Sequence, residues 1–220
     1  MLLLMDKGKW LQKLSKADKK YNFPDGYKLL YSPWETIQKA KIAFISLNPG
    51  KPPKNAELKV ISDERGNSYE VEKEITESKI TPQFLSLCKF LETAPNDVLT
   101  GTICPFRSAG WKKFLNGSIF TDEQKRIGLS LGEEFWLEAL KKVNIIITVG
   151  NETTNLIVKI LDAKKNLEIN SGWGDVKLRR YENTQNKLII HLPHLSRFQL
   201  FSRQNCIQPL ETIFKKNRGI

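Results

Sequence analysis

Residues 41–50 read KIAFISLNPG, a short apolar run that stops at Asn-Pro-Gly. Proline locks φ and lacks an N–H, and Asn and Gly favour turns, so a strand entering this stretch ends at Asn48. Three other stretches share its character: 98–104 (VLTGTIC), 144–149 (NIIITV) and 187–192 (KLIIHL). Near-continuous apolar strands fit a sheet covered on both faces, as parallel sheets are. Helical patterns lie between them. Thr81-Pro82 opens one, with Phe84, Leu85, Leu87, Cys88 and Leu91 as its inward stripe. Thr121-Asp122 opens a second that runs through Phe135, Trp136 and Leu140. Asn151-Glu152 caps a third bearing Leu156, Ile157, Ile160 and Leu161, and Ile207, Leu210, Ile213 and Phe214 mark a last one.

This alternation predicts an α/β fold, a three-layer αβα sandwich around a central, mainly parallel four-stranded sheet. The 220 residues fit one domain, with residues 1–40 as an N-terminal helical extension and 41–215 as the core. Residues 171–183 (SGWGDVKLRRYEN) interrupt the last crossover and are expected as a hairpin or surface loop. Residues 51–80 form a long polar stretch directly after a strand end, a place where loops tend to be functional.

The charge narrows the partner. A net charge of +11 favours an anionic partner, with nucleic acid first, although a Lys-rich surface also serves solubility alone. Three widely spaced cysteines argue against a disulfide framework, and without CxxC or Cys/His clusters no zinc or iron–sulfur centre is expected. The opening MLLLM stops at Asp6, too short for a signal core or a membrane span. The expectation is a reduced, cytoplasmic monomer that needs no cofactor or metal and makes no membrane contact.

Open parallel sheets bind ligands at the carboxyl ends of their strands. Those ends read Asn48-Pro49-Gly50, Pro105-Phe106-Arg107-Ser108, Gly150-Asn151-Glu152 and His194-Leu195-Ser196-Arg197, which turns Asn48 and His194 towards one crevice. Each has a plainer reading. Asn-Pro-Gly makes a turn, a His beside a Pro packs, Gly150-Asn151 makes a turn with a helix cap, and Arg107 and Arg197 are solvated rim charges. His191 and His194 are the only histidines, and both sit at the end of one strand.

Taken together, the strand ends resemble the uracil-DNA glycosylase superfamily. IAFISLNPGKP is similar to its first motif in the Asn-Pro-Gly form of the mismatch-specific and single-strand-selective branches. HLPHLSR resembles the second motif, His-Pro-Ser, with Leu195 in place of the proline. TGTICPFRS falls where the family reads the base. The resemblance covers roughly residues 40–215 and implies a DNA glycosylase acting on a flipped uracil-like or modified base, in repair or in defence against phages with modified DNA. It implies Asn48 holding a water and His194 donating to the departing base oxygen, with His191 left to packing.

Further roles follow from the same resemblance. Pro49, Gly50, Thr102 and Ser196 would meet the substrate, and Tyr69 or Phe106 would stack on the base. Arg107, Asn151 and Arg197 would contact DNA. Phe198 would be an apolar wedge, while Leu200 packs under the last helix. Thr100-Gly101-Thr102 carries no amide where uracil-reading members have an Asn, which implies space for a bulkier base. The alternative is a non-catalytic nucleic-acid-binding module on the same fold. A phosphoester hydrolase would call for a P-loop or a carboxylate cluster at the strand ends, and the sequence has neither.

Overall fold

The run after Lys41 forms a strand because both of its faces find cover. In the computed structural model, which describes residues 5–52, 56–74, 78–108, 111 and 120–215, it lies at the heart of the sheet. Residues 1–4 of the apolar opening fall outside the described residues. In chain order the elements are α1 (Lys7–Tyr21), β1 (Tyr27–Lys28), α2 (Thr36–Lys39), β2 (Ile42–Ser46), β3 (Lys59–Val60), α3 (Ser68–Val71) and α4 (Ile80–Phe90). There follow β4 (Val98–Thr102), α5 (Asp122–Ala139), β5 (Ile145–Val149), α6 (Asn151–Ile160), β6 (Lys164–Asn170), β7 (Lys177–Glu182), β8 (Leu188–Leu192) and α7 (Gln204–Ile213).

One sheet runs β4-β2-β5-β8-β7-β6. The four expected strands are its contiguous parallel part, and β7 and β6 join antiparallel beyond β8. The sheet is therefore mixed and six-stranded, not four-stranded. The hairpin or loop expected at residues 171–183 holds the tip and β7, but the sequence hid β6, which is largely exposed and Lys-rich, with no apolar run to announce it. A separate pair, β1 and β3, is parallel.

Side chains alternate between two cores. Ala43, Ile45, Ile146 and Ile189 face α1, α5 and α6, while Phe44, Ile147, Ile190 and Leu192 face α4 and α7. Helices thus cover both faces. The N-terminal segment is part of this arrangement and not an extension: Trp10 and Leu14 of α1 are buried, with Trp10 edge-on to Phe135. Tyr27–Tyr31 then runs along the free edge of β4, through bonds from Tyr31 N to Thr100 O (2.8 Å) and Thr102 N to Leu29 O (3.1 Å).

Local signals set the helix ends. Thr121 and Gln124 make a reciprocal capping box on α5, as Thr121-Asp122 predicted. The cap of α6 is Gly150 and not Asn151, and it has no side-chain bond. Lys187 is 8% exposed, and its ammonium donates to the carbonyls of Leu140 (2.9 Å), Lys141 (3.0 Å) and Val143 (2.6 Å) just past α5. Three donors meet three acceptors there, which makes the buried charge tolerable.

Helix α5 can press on the chain after β4 only through glycine. A Cβ at Gly132 would stand 1.5 Å from the carbonyl oxygen of Ile103, where only backbone could yield. Gly132→Ala is therefore expected to cost at least ~1–3 kcal/mol. Gly50→Ala, with nothing within 4 Å of its Cβ, should stay within about 0.5 kcal/mol of wild type. Urea denaturation midpoints of the two variants check this, and equal stabilities would refute the close approach.

His191 packs between β8 and α6. It is buried, and its Nδ1 lies 2.7 Å from Thr154 Oγ1, which also donates to Gly150 O at 2.9 Å. Burial, with a smaller effect of Arg179, lowers its pKa to about 4. As pH falls, the unfolded chain takes up this proton near 6.5, whereas the fold resists until about 4. Stability is thus full above the unfolded value and is lost through that window, by at most about 3 kcal/mol. His191→Gln should flatten stability against pH between these values, and an undiminished slope would assign the acid sensitivity to other groups.

Candidate active site

The chain leaves β2 for β4 on one side and later passes to β5 and β8 on the other. The order reverses between β2 and β5, so the crevice belongs at their carboxyl ends, beside Asn48 and Gly150. His194 follows β8, the next parallel strand. Asn48 and His194 therefore flank the end of β5 and are not on adjacent strands. With strands spaced ~4.8 Å, the two strands that carry them are about 10 Å apart.

The amide of Asn48 is oriented by the backbone around it. Its Nδ2 donates to the carbonyls of Pro49 (2.9 Å) and Ser108 (3.2 Å), and Ser108 N returns a bond to Pro49 O at 3.0 Å. Both amide protons are committed, so Oδ1 is the atom left for a ligand, as an acceptor of a proton from water or hydroxyl. Pro49 is buried and Gly50 exposed. Gly50 does not have the positive φ that its place in a turn implied.

His194 stands on a tight turn. Its carbonyl accepts from Arg197 N and Phe198 N, both at 2.9 Å, and Leu195 is fully buried in the second core. Burying a leucine stabilises by roughly 2 kcal/mol, which anchors the turn. Ser196 Oγ lies 2.8 Å from His194 Nδ1. When that hydroxyl donates, the imidazole proton resides on Nε2, and the exposed residue offers that N–H as a donor. Surrounding protein and the Arg197 cation lower the His194 pKa, favouring the neutral ring near neutral pH. Ser196, expected to meet the substrate, reaches His194 in an orienting contact.

Other expected residues are committed elsewhere. Phe106 is fully buried, stacked on Phe23 at 3.5 Å, and does not reach the crevice. Tyr69 is 7% exposed, stacked parallel on Tyr31 at 5.2 Å, with Phe44 and Phe84 against it and its hydroxyl bonded to Ser46. Thr102 is buried, donating to Lys28 O at 3.1 Å, and Thr100 accepts from Asn67 Nδ2 at 3.1 Å. The small residues of β4 do not open space either, since a Cβ on Gly101 would stand 2.5 Å from Leu29 O. Arg107 is 6% exposed and not a rim charge; burial lowers its pKa, and its Nε points to Leu58 O at 3.4 Å. Asn151 is exposed at the start of α6, and its Oδ1 accepts from Arg179 at 3.0 Å. Arg197 is exposed and lies over Phe198, which is half-buried.

Some residues escaped sequence reasoning. Tyr31 sits beside Lys28, whose Nζ is 4.7 Å over the ring, and burial pushes its hydroxyl up to about 12. Lys28 is itself buried, its pKa lowered by desolvation, with Glu72 at 3.5 Å and Asp63 at 3.7 Å. Arg65 joins both carboxylates at 2.8 Å. The signal lay in YKLLY, residues 27–31, whose polar–apolar mix looks unlike a strand until the edge of β4 is there to receive it. Among the described residues no group of three His, Cys, Asp or Glu side chains could hold a metal, and no helix is long and apolar enough to cross a membrane. Cys88, Cys104 and Cys206 are free and buried. No family model matches the chain, and no curated protein matches it.

Proposed function

We propose that the protein is a DNA glycosylase of the uracil-DNA glycosylase type, hydrolysing the bond between a flipped base and its deoxyribose. The observation that carries the reading is the pair of oriented side chains flanking β5. Asn48 offers only Oδ1, and His194 is held through Nδ1 by Ser196. Cleavage of an N-glycosidic bond leaves positive charge on the sugar and negative charge on the base. Asn48 Oδ1 holds the attacking water and faces the cationic sugar, while His194 Nε2–H donates to the base oxygen as it gains charge. A neutral amide is too weak a base to take the proton early, so positioning is its main contribution.

The net charge of +11 suits a phosphate-rich substrate. Gly50, exposed and with no neighbour within 4 Å of a Cβ, lets a nucleotide approach the backbone. The helix cap without a side chain at Gly150 leaves the start of α6 open to a phosphate. Phe198 is half-exposed beside His194 and suits a wedge that fills the place of the flipped base. The base is uracil-like or modified, and repair and defence against modified phage DNA both fit such an activity. The second reading, a binding module without catalysis, draws on the same charge and would need neither oriented side chain.

Asn48→Ala and His194→Ala are each expected to slow single-turnover base release by roughly a hundredfold or more, with DNA affinity changed little. Ser196→Ala, which frees Nδ1, should lose less. The measurement is abasic-site formation across duplexes and single strands carrying different target bases. Base release at the wild-type rate by both alanine variants would overturn the mechanism. No release from any base, with tight DNA binding, would favour the binding module.

A further inference from the structure

The β6–β7 hairpin lies outside the four parallel strands, and its tip carries chemistry of its own. β7 is antiparallel to β8 and β6 antiparallel to β7, so β6 ends at the edge that bears Asn48 and His194. The tip is closed by Ser171 N to Val176 O at 2.8 Å and Val176 N to Trp173 O at 3.2 Å. It is pressed onto α7. Gly172 has φ +83, and a Cβ there would stand 2.0 Å from the carbonyl oxygen of Asn205. Pro209 has no N–H to offer that carbonyl four residues back, so the helix leaves it open at the point where the glycine approaches.

This docking brings Trp173 next to the His194 turn. The Trp173 ring meets Phe198 edge-on at 5.8 Å, and the Arg203 guanidinium lies 3.4 Å from its centroid. The Arg197 guanidinium is 5.8 Å from the Phe198 ring. Arg197 and Arg203 are exposed, and among the described residues neither forms an ion pair. The N–H donors of a guanidinium lie in its plane, so stacking on a ring occupies the face and leaves the donor edge outward. A stacked arginine also gives up less freedom when it binds. That planar fork matches two oxygens of a phosphodiester.

We propose that Trp173, Arg203 and Arg197 form a second nucleic-acid contact, gripping backbone phosphates of the strand that enters the crevice at His194. The contact rests on the nucleic-acid part of the reading above. It sets affinity and takes no part in breaking the glycosidic bond. Two cations without carboxylate partners among the described residues, on a chain of net charge +11, complement a polyphosphate strand. An acidic protein segment is the other occupant such charges admit, but the planar forks favour phosphates.

The test measures binding of undamaged labelled oligonucleotides to the full chain by anisotropy, from about 50 to 200 mM salt. Arg203→Gln is expected to weaken binding about five- to tenfold and to reduce the salt slope by about one. Trp173→Ala keeps the charge and removes the platform. It should weaken binding severalfold with the slope unchanged, and Trp173→Phe should retain most of the affinity. Wild-type affinity and slope in both Arg203→Gln and Trp173→Ala would overturn the contact. So would displacement by polyglutamate as effective as by unlabelled DNA of equal charge, or a wild-type chain that binds no DNA. If no base is ever released but these variants still weaken DNA binding, the contact stands and the glycosylase reading falls.

Discussion

Parallel pairing of β2 with β4 on one side and β5 on the other is the constraint from which the rest of the molecule follows. A parallel pair cannot be closed by a short turn, so each connection must leave the sheet, cross a face and return. Those crossings put helices on both faces, and helices on both faces require strands apolar on both sides. Phe44 and Ile45 satisfy this at the centre, one buried in each core. The same pairing sends all four strand ends to one edge. Residues as distant in sequence as Asn48, Gly150 and His194 meet there because of strand direction.

At that edge, polar side chains are held by backbone more than by one another. Asn48 is bound to two carbonyls, and the turn at His194 is tied down through its own carbonyl and the buried Leu195. Backbone groups move little, so side chains fixed to them keep their direction without a ligand. Side chains preorganised in this way need no reorientation when a ligand arrives. His191, three residues earlier on β8, has the opposite environment. Burial, with a smaller effect of Arg179, keeps it neutral, and its contact with Thr154 serves the joint between β8 and α6.

The cluster of Lys28, Arg65, Arg107, Asp63 and Glu72 follows a different logic. Lys28, Arg107 and Asp63 are each less than 10% exposed. Removing one partner from a buried charge cluster costs far more than the cluster contributes when intact, because an uncompensated charge remains. Such a group fixes the position of the segments that share it: Tyr27–Tyr31, residues 58–72 and the stretch after β4. Lys28 lies over the Tyr31 ring, which stacks on Tyr69, so residues 58–72 help to hold this stack together.

The sequence by itself determined the four parallel strands, the helices between them and the strand ends where Asn48 and His194 stand, because these depend on apolar periodicity and turn chemistry that act locally. It also marked His191 as a packing residue and Leu200 as buried. Only the tertiary structure decided which neighbouring side chains face the crevice. Phe106, Tyr69, Thr102 and Arg107 follow strands or polar stretches in a way that suits a site, yet each is covered by a segment distant in sequence, Phe106 by Phe23 and Thr102 by Lys28. The hairpin or surface loop expected at residues 171–183 carries Trp173, but that it joins the sheet through β6 and β7 was equally hidden. An edge strand such as β6 needs little hydrophobic burial, so its place in the sheet is set by backbone pairing with β7, itself paired with β8, which leaves no mark in the pattern of side chains.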